Sequence, residues 1–125
     1  MTAKATEIPY DQLERIFHEP NRLAIMSALC AERGGLPFTA LKQICGLTDG
    51  NLNRHLRVLT ESGAVRIDKR FLNAKPRTTV HLTATGLKRF QEYLDALAAV
   101  LKQARASLPA EERRLAPAAA RLAHA

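Results

Sequence analysis

Residues 39–63, Thr39-Ala40-Leu41-Lys42-Gln43-Ile44-Cys45-Gly46-Leu47-Thr48-Asp49-Gly50-Asn51-Leu52-Asn53-Arg54-His55-Leu56-Arg57-Val58-Leu59-Thr60-Glu61-Ser62-Gly63, read as two helices across a tight turn. Thr39 is a candidate N-cap, Leu41 and Ile44 form the apolar side of the first helix, and Gly46 stands where a C-terminal stop belongs. Only Leu47 separates that stop from Thr48, which can cap the next helix. That second helix, over 48–62, carries Leu52, Leu56 and Leu59 at i, i+4 and i+7 and ends at Gly63. Two helices joined so closely predict a helix-turn-helix.

Working outward, Leu13, Ile16 and Phe17 predict a short helix over 10–18. Pro20 opens another, where a missing backbone donor costs nothing, with Leu23, Met26, Leu29 and Cys30 on its apolar face and Gly34-Gly35 at its end. Downstream the period changes. Residues 64–68 and 78–82 alternate with a period near two and are rich in β-branched side chains, which predicts a β-hairpin whose connection, 69–77, is polar and basic. Thr83 then caps a long terminal helix, about 83–106, in which Leu87, Phe90, Leu94, Leu97 and Leu101 recur three and four apart. Such a heptad seam suits a partner helix, so these five residues are the expected dimer interface. The fold class is mainly α with one small β-hairpin (α+β), in a single domain over 1–106. The Ala- and Arg-rich tail, 107–125, is read as partly helical or disordered and receives no function.

The composition supports a folded domain: of 125 residues 46% are hydrophobic and 25% charged, the balance of a globular chain and not of a disordered one. Residues 1–8 hold no apolar run of the signal-peptide kind, and no stretch approaches the roughly 18 to 20 apolar residues of a membrane helix. Two cysteines cannot make a disulfide framework. The expected location is the cytoplasm, or the nucleoid when bound to DNA, with no membrane partner.

The charge is concentrated. Of a net +7, the segment Thr48 to Phe90 supplies nine cations against Asp49, Glu61 and Asp68, and so nearly all of the excess. Neutralising phosphates requires such clustering, because each contact releases condensed counterions. At 100° per residue, Gly50, Arg54, Arg57 and Glu61 point away from the Leu52-Leu56-Leu59 stripe, with Asn51 and Asn53 on its shoulders. Gly50 lets the backbone approach a base pair, Arg54 can fork onto guanine, and Asn51 or Asn53 can do the same for adenine. These four are the candidate base-contacting residues. Thr48 and Arg57, with Arg66, Lys69, Arg70, Lys75 and Arg77 of the hairpin, are the candidate phosphate or minor-groove contacts. The expected partner is double-stranded DNA.

The run from His18 to Met26 and the run from Gly46 to Leu59 resemble winged helix-turn-helix regulators of the ArsR and MarR type, and Lys75 to Thr83 is similar to the wing of a small bacterial subfamily related to both. The match covers about residues 10–105 in order. It implies a winged-helix fold and a dimeric bacterial transcriptional regulator; the expected function is a repressor, or else an activator, that binds an inverted-repeat operator as a homodimer. It also implies a small-molecule effector between the terminal helix and the DNA-binding lobe, where Leu87, Phe90 and Leu94 are candidate lining residues. Dimer core is the stronger expectation for those three. The metal-sensing branch carries a Cys-x-Cys pair near the start of the recognition helix; here Cys45 stands alone, so metal sensing is not carried over.

Other chemistry finds little support. Cys30 and Cys45 lie at i+4 from Met26 and Leu41 and read as small buried hydrophobes. His18, His55, His81 and His124 are scattered, with no i, i+4 pairing for a metal. His55 is expected to flank the core. No phosphate-cradling Gly-rich loop, nucleophile elbow or His-Glu-x-x-His run is present, so neither catalysis, a metal nor a cofactor is expected. The alternative reading is a winged-helix protein-interaction module whose basic face docks an acidic partner.

Overall fold

The computed structural model describes residues 13–110. The elements run α1 (Pro20–Ala31), β1 (Leu36–Pro37), α2 (Phe38–Cys45), α3 (Asp49–Glu61), β2 (Val65–Leu72), β3 (Lys75–Leu82) and α4 (Ala84–Ser107). The three strands form one antiparallel sheet in the order β1-β3-β2. This is the expected α+β architecture, with helices packed on a small sheet and a long helix last. No helix among the described residues is long and apolar enough to cross a membrane.

The helix predicted over 10–18 is, in its described part, a single turn in which Glu14 O accepts from both Phe17 N and His18 N. Residues 10–12 lie outside the described residues. The turn cannot continue because Glu19 precedes a proline and is held extended at φ −144°, ψ 127°. Glu19 instead caps α1, its carboxylate accepting from Asn21 N and Arg22 N at 3.1 and 3.0 Å. α1 stops at Ala31, short of the expected Gly34-Gly35, which lie in the loop to β1.

The sequence patterns did not reveal β1, since two residues are too few to alternate. Leu36 pairs with Val80 and Pro37 with Thr79. Because the chain passes directly from this strand into helix, Pro37 and not Thr39 occupies the N-cap of α2. Ile44, expected inside, is 61% exposed: the inward side of α2 carries Leu41 flanked by Phe38 and Cys45, and Ile44 falls outside it. Gly46 ends α2 as expected, left-handed at φ 65°, with its own N–H and that of Leu47 closing on the Gln43 and Lys42 carbonyls.

The core gathers Ile25, Met26 and Leu29 of α1, Leu41 of α2, Leu52 and Leu59 of α3 and Val80 of β3, each with no exposed surface. Burying side chains of this size stabilises by about 1.5–3 kcal/mol apiece, which is what seats α3 on the body. Phe17, Phe90 and Tyr93 form a second layer, with Phe17 edge-on to both partners at 5.5 and 5.8 Å between centroids. Thr83 locks α4 to the end of α3. Its hydroxyl donates to Gly63 O at 2.7 Å and accepts from Gly86 N at 2.8 Å. A side chain at Gly86 would run into the Ala64 carbonyl, so glycine there permits close approach of α4.

Two further expectations change. The connection 69–77 is not a loop, because the β2–β3 ladder continues out to Leu72↔Lys75 and leaves only Asn73-Ala74 as the turn, both at positive φ (54° and 63°). And Phe90, assigned to the seam, is 1% exposed within its own chain. The inward stripe of α4 is Gly86, Phe90, Tyr93 and Ala96, so the seam's helical phase is shared between the chain's own core and its surface.

Candidate nucleic-acid interface

The first turn of α3 is built by Thr48, whose hydroxyl accepts from Asn51 N at 3.2 Å. Asp49 in that turn pairs with Lys42 Nζ of α2 at 2.8 Å, which ties the two helices of the motif together and neutralises a carboxylate that would oppose an anionic ligand. Beyond it Gly50, Asn51, Asn53, Arg54 and Arg57 are all exposed, while Leu52, Leu56 and Leu59 on the other side are 0, 1 and 0% exposed. The structure thus brings all four candidate base-contacting residues and Arg57 onto one open helical surface.

His55 breaks the apolar inner stripe. It is 5% exposed, and its Nδ1 accepts from Arg22 Nη1 at 3.2 Å. Glu19 Oε2 lies 3.5 Å from the same Nδ1, and Arg22 Nε donates to Ile16 O at 2.6 Å. The Arg22 bond assigns the neutral ring with its proton on Nε2, an atom that is buried without a hydrogen-bond partner. Burial pushes the His55 pKa below its ordinary value; Glu19 opposes this, and the Arg22 and Arg54 charges add to it. Burial works to raise the Glu19 pKa, but hydrogen bonds from the Asn21 and Arg22 amides and the His55 and Arg22 charges hold it below the ordinary carboxylate range. This Glu19–Arg22–His55 cluster was not apparent from sequence, because its members are three and 33 residues apart with no periodic relation.

In the hairpin, the register sorts the cations. Arg66, Arg70, Lys75 and Arg77 lie on one face by strand alternation and pairing, with Arg70 directly opposite Arg77. Lys69 falls on the other face, with Val65, Ile67 and Phe71. Like charges facing each other across a ladder are unfavourable, and Asp68 relieves part of the cost through its 2.9 Å contact with Arg70 Nε. Arg54, Arg57, Arg66, Lys69, Lys75 and Arg77 form no ion pair with any described residue. Arg89, counted in the basic segment, is committed elsewhere: it holds Glu14 at 2.6 Å, donates to Ser62 O at 2.7 Å and lies over the Phe17 ring. Cys30 and Cys45 are half-buried free thiols against the core, and burial raises both pKa values. Among the described residues no group of three or more His, Cys, Asp or Glu could hold a metal ion. His124 lies outside the described residues.

Residues 21–101 match a family described as winged helix DNA-binding domain. An uncharacterized protein of Methanocaldococcus jannaschii is 34% identical over 83 residues, spanning 64% of this chain and 86% of that protein. Among solved structures, a transcriptional regulator homologue from Pyrococcus horikoshii OT3 superposes with a TM-score of 0.70 at 34% identity, covering 75% of this chain and 93% of its own. The YusO protein of Bacillus subtilis superposes with a TM-score of 0.66 over 99% of this chain and 89% of its own; at 20% identity it speaks for the fold alone.

Proposed function

The chain belongs to the winged helix DNA-binding family, and from that premise we propose that it is a transcriptional repressor of the ArsR and MarR type, acting as a homodimer on an inverted-repeat operator. The observation that carries this reading is the outer surface of α3. Gly50, Asn51, Asn53, Arg54 and Arg57 are exposed there, on a helix whose opposite side is fully buried and whose one early carboxylate is already paired. A helix so anchored can enter a major groove without rearranging. Arg54 takes guanine, Asn51 and Asn53 take adenine, and Thr48 and Arg57 meet phosphate. Arg66, Lys69, Arg70, Lys75 and Arg77 follow the backbone or the adjacent minor groove.

The homodimer is supported by α4. Leu87, Leu94, Leu101 and Leu108 stand seven residues apart; Leu94, Leu101 and Leu108 are 41, 48 and 42% exposed, and every residue from Leu101 to Ala110 is exposed. A helix end this exposed among the described residues is marginal in water, and a leucine row at heptad spacing is covered naturally by a second copy. Pairing of α4 helices would set two α3 helices about 34 Å apart, one turn of the duplex. The same scheme takes a small-molecule effector between α4 and the DNA-binding lobe, for which thermal-shift screening with and without duplex is the check.

Selection from a random duplex pool, followed by anisotropy titrations at several salt concentrations, tests the reading. The expected outcome is an inverted repeat with half-sites about 10 base pairs apart, bound at least about 10³-fold more tightly than random duplex, with a steep salt slope. Weak retention that ignores sequence would favour a protein-docking role for the basic face.

A further inference from the structure

The outer end of the hairpin carries two large apolar side chains that the core does not use. Phe71 is 78% exposed and Leu72 is 51% exposed. They sit in Lys69-Arg70-Phe71-Leu72-Asn73-Ala74-Lys75-Pro76-Arg77, which holds four cations and no anion. β1 supports the sheet only as far as Val80 and Thr79, so four pairs, from Lys69↔Thr78 to Leu72↔Lys75, project as a bare two-stranded ribbon about 13 Å long. The ribbon is closed by a two-residue turn, the narrowest end a hairpin can have. Phe71 stands directly opposite Pro76, whose missing N–H falls beyond the end of β1 and deprives no neighbouring strand of a donor.

Resting on the DNA-binding reading above, we propose that this tip is an apolar wedge. Phe71, backed by Pro76 on its own face, inserts at a base-pair step in the minor groove beside the half-site, while Lys69 on that face and Arg70, Lys75 and Arg77 on the opposite face hold the phosphates to either side. The occupant follows from the charge: a cationic ribbon with exposed rings at its end complements a polyanion with a stacked apolar interior. Its seat is continuous with the rest of the interface. An open cleft between the ribbon and the first turn of α2, lined by Phe38, Thr39, Lys75 and Arg77, offers a phosphodiester strand a cationic bed next to the tip. A wedge pays unstacking energy and regains it in a bent duplex that wraps more protein surface. It therefore confers a preference at positions that no hydrogen bond reads, with pyrimidine–purine steps favoured because they open most easily.

The test uses the full chain and the duplex recovered from the random pool, with 2-aminopurine placed in turn at each step flanking the half-site. The expected result is brightening at one flanking step on binding, lost in Phe71→Ala and largely restored in Phe71→Leu. Phe71→Ala should also weaken binding about tenfold at a flexible step and much less at a rigid one, with the salt slope unchanged. Phe71 is outside the core, so circular dichroism of the variant should match the unaltered chain. Steep, specific binding with no brightening and no effect of Phe71→Ala would overturn the wedge and leave the DNA-binding reading standing. No duplex recovered from the pool, together with Phe71-dependent binding to phosphatidylserine vesicles, would overturn both and identify the tip as a membrane contact.

Discussion

His55 Nδ1 lies 3.2 Å from Arg22 Nη1, and through this contact the buried side of α3 is tied to the first turn of α1. Arg22 is itself held by the Ile16 carbonyl, and Glu19 both caps α1 and approaches the imidazole. The orientation of the proposed reading helix therefore rests on a polar clamp as well as on three leucines. The clamp works with a neutral imidazole, since a proton on Nδ1 would displace the Arg22 donor.

Acid should loosen this clamp. The pKa of His55 is lowered in the folded chain, mainly by burial, from an ordinary value near 6.5. Below that value the unfolded chain takes up a proton that the native chain resists, so stability is full above about pH 6.5 and falls as the pH drops toward the lowered folded value. Glu19, also lowered, adds a second loss at more acid pH, below its ordinary 4.5. Urea melts from pH 8 to pH 5 should show the first decline, and His55→Gln should flatten it while costing about 1–2 kcal/mol at pH 8. An unaltered slope in the variant would remove His55 from the account.

Ala74→Gly should stabilise the hairpin. Ala74 sits at φ 63° in the second position of a turn that also holds Asn73 at φ 54°. A Cβ is unfavourable there, and Asn-Gly is the preferred pair for such a turn. After allowing for the freedom glycine adds to the unfolded chain, the expected gain is about 0.5 kcal/mol, read as a rise in the urea midpoint with unchanged m-value.

Arg54→Ala and Lys75→Ala should weaken DNA binding in different ways. Arg54→Ala is expected to cost about 1–3 kcal/mol and to relax preference at one base position. Lys75→Ala should weaken all duplexes alike and reduce the salt slope by about one. Competition titrations with single-base operator variants separate the two patterns. Equal loss on operator and random duplex for Arg54→Ala would remove that residue from base reading.

Leu101→Glu should dissociate the dimer. Leu101 is 48% exposed in the single chain and has no core role, so the variant should fold normally. A buried, unpaired carboxylate at a heptad seam should weaken association about a hundredfold or more, measured by sedimentation velocity. Unchanged sedimentation would place the dimer contact elsewhere.

Much of the architecture was legible because it is local. The Leu52-Leu56-Leu59 stripe, the Thr48 and Thr83 caps, the Gly46 stop and the period-two strands are relations within a few residues of chain, governed by helical and strand periodicity and by backbone conformational preference. The outer surface of α3 followed from the same arithmetic. β1 was not legible, since a two-residue strand exists only through its pairing with Val80 and Thr79. The extent of the hairpin was missed for a related reason: a basic run resembles a loop until Leu72↔Lys75 closes the ladder.

Helical phase, the Thr48 and Thr83 caps and the place of the charge excess were thus properties of the chain alone. Tertiary packing decided which side chains remain free to act. It spent Phe90 on the ring cluster with Phe17 and Tyr93, drew Arg89 to Glu14 across 75 residues of sequence, and turned His55 inward to Arg22 and Glu19. It also left Phe71 standing in water at the end of a cationic ribbon. Periodicity states which way a side chain points from its own helix or strand. What meets it there depends on elements far away in sequence, and so emerges only when the chain has folded.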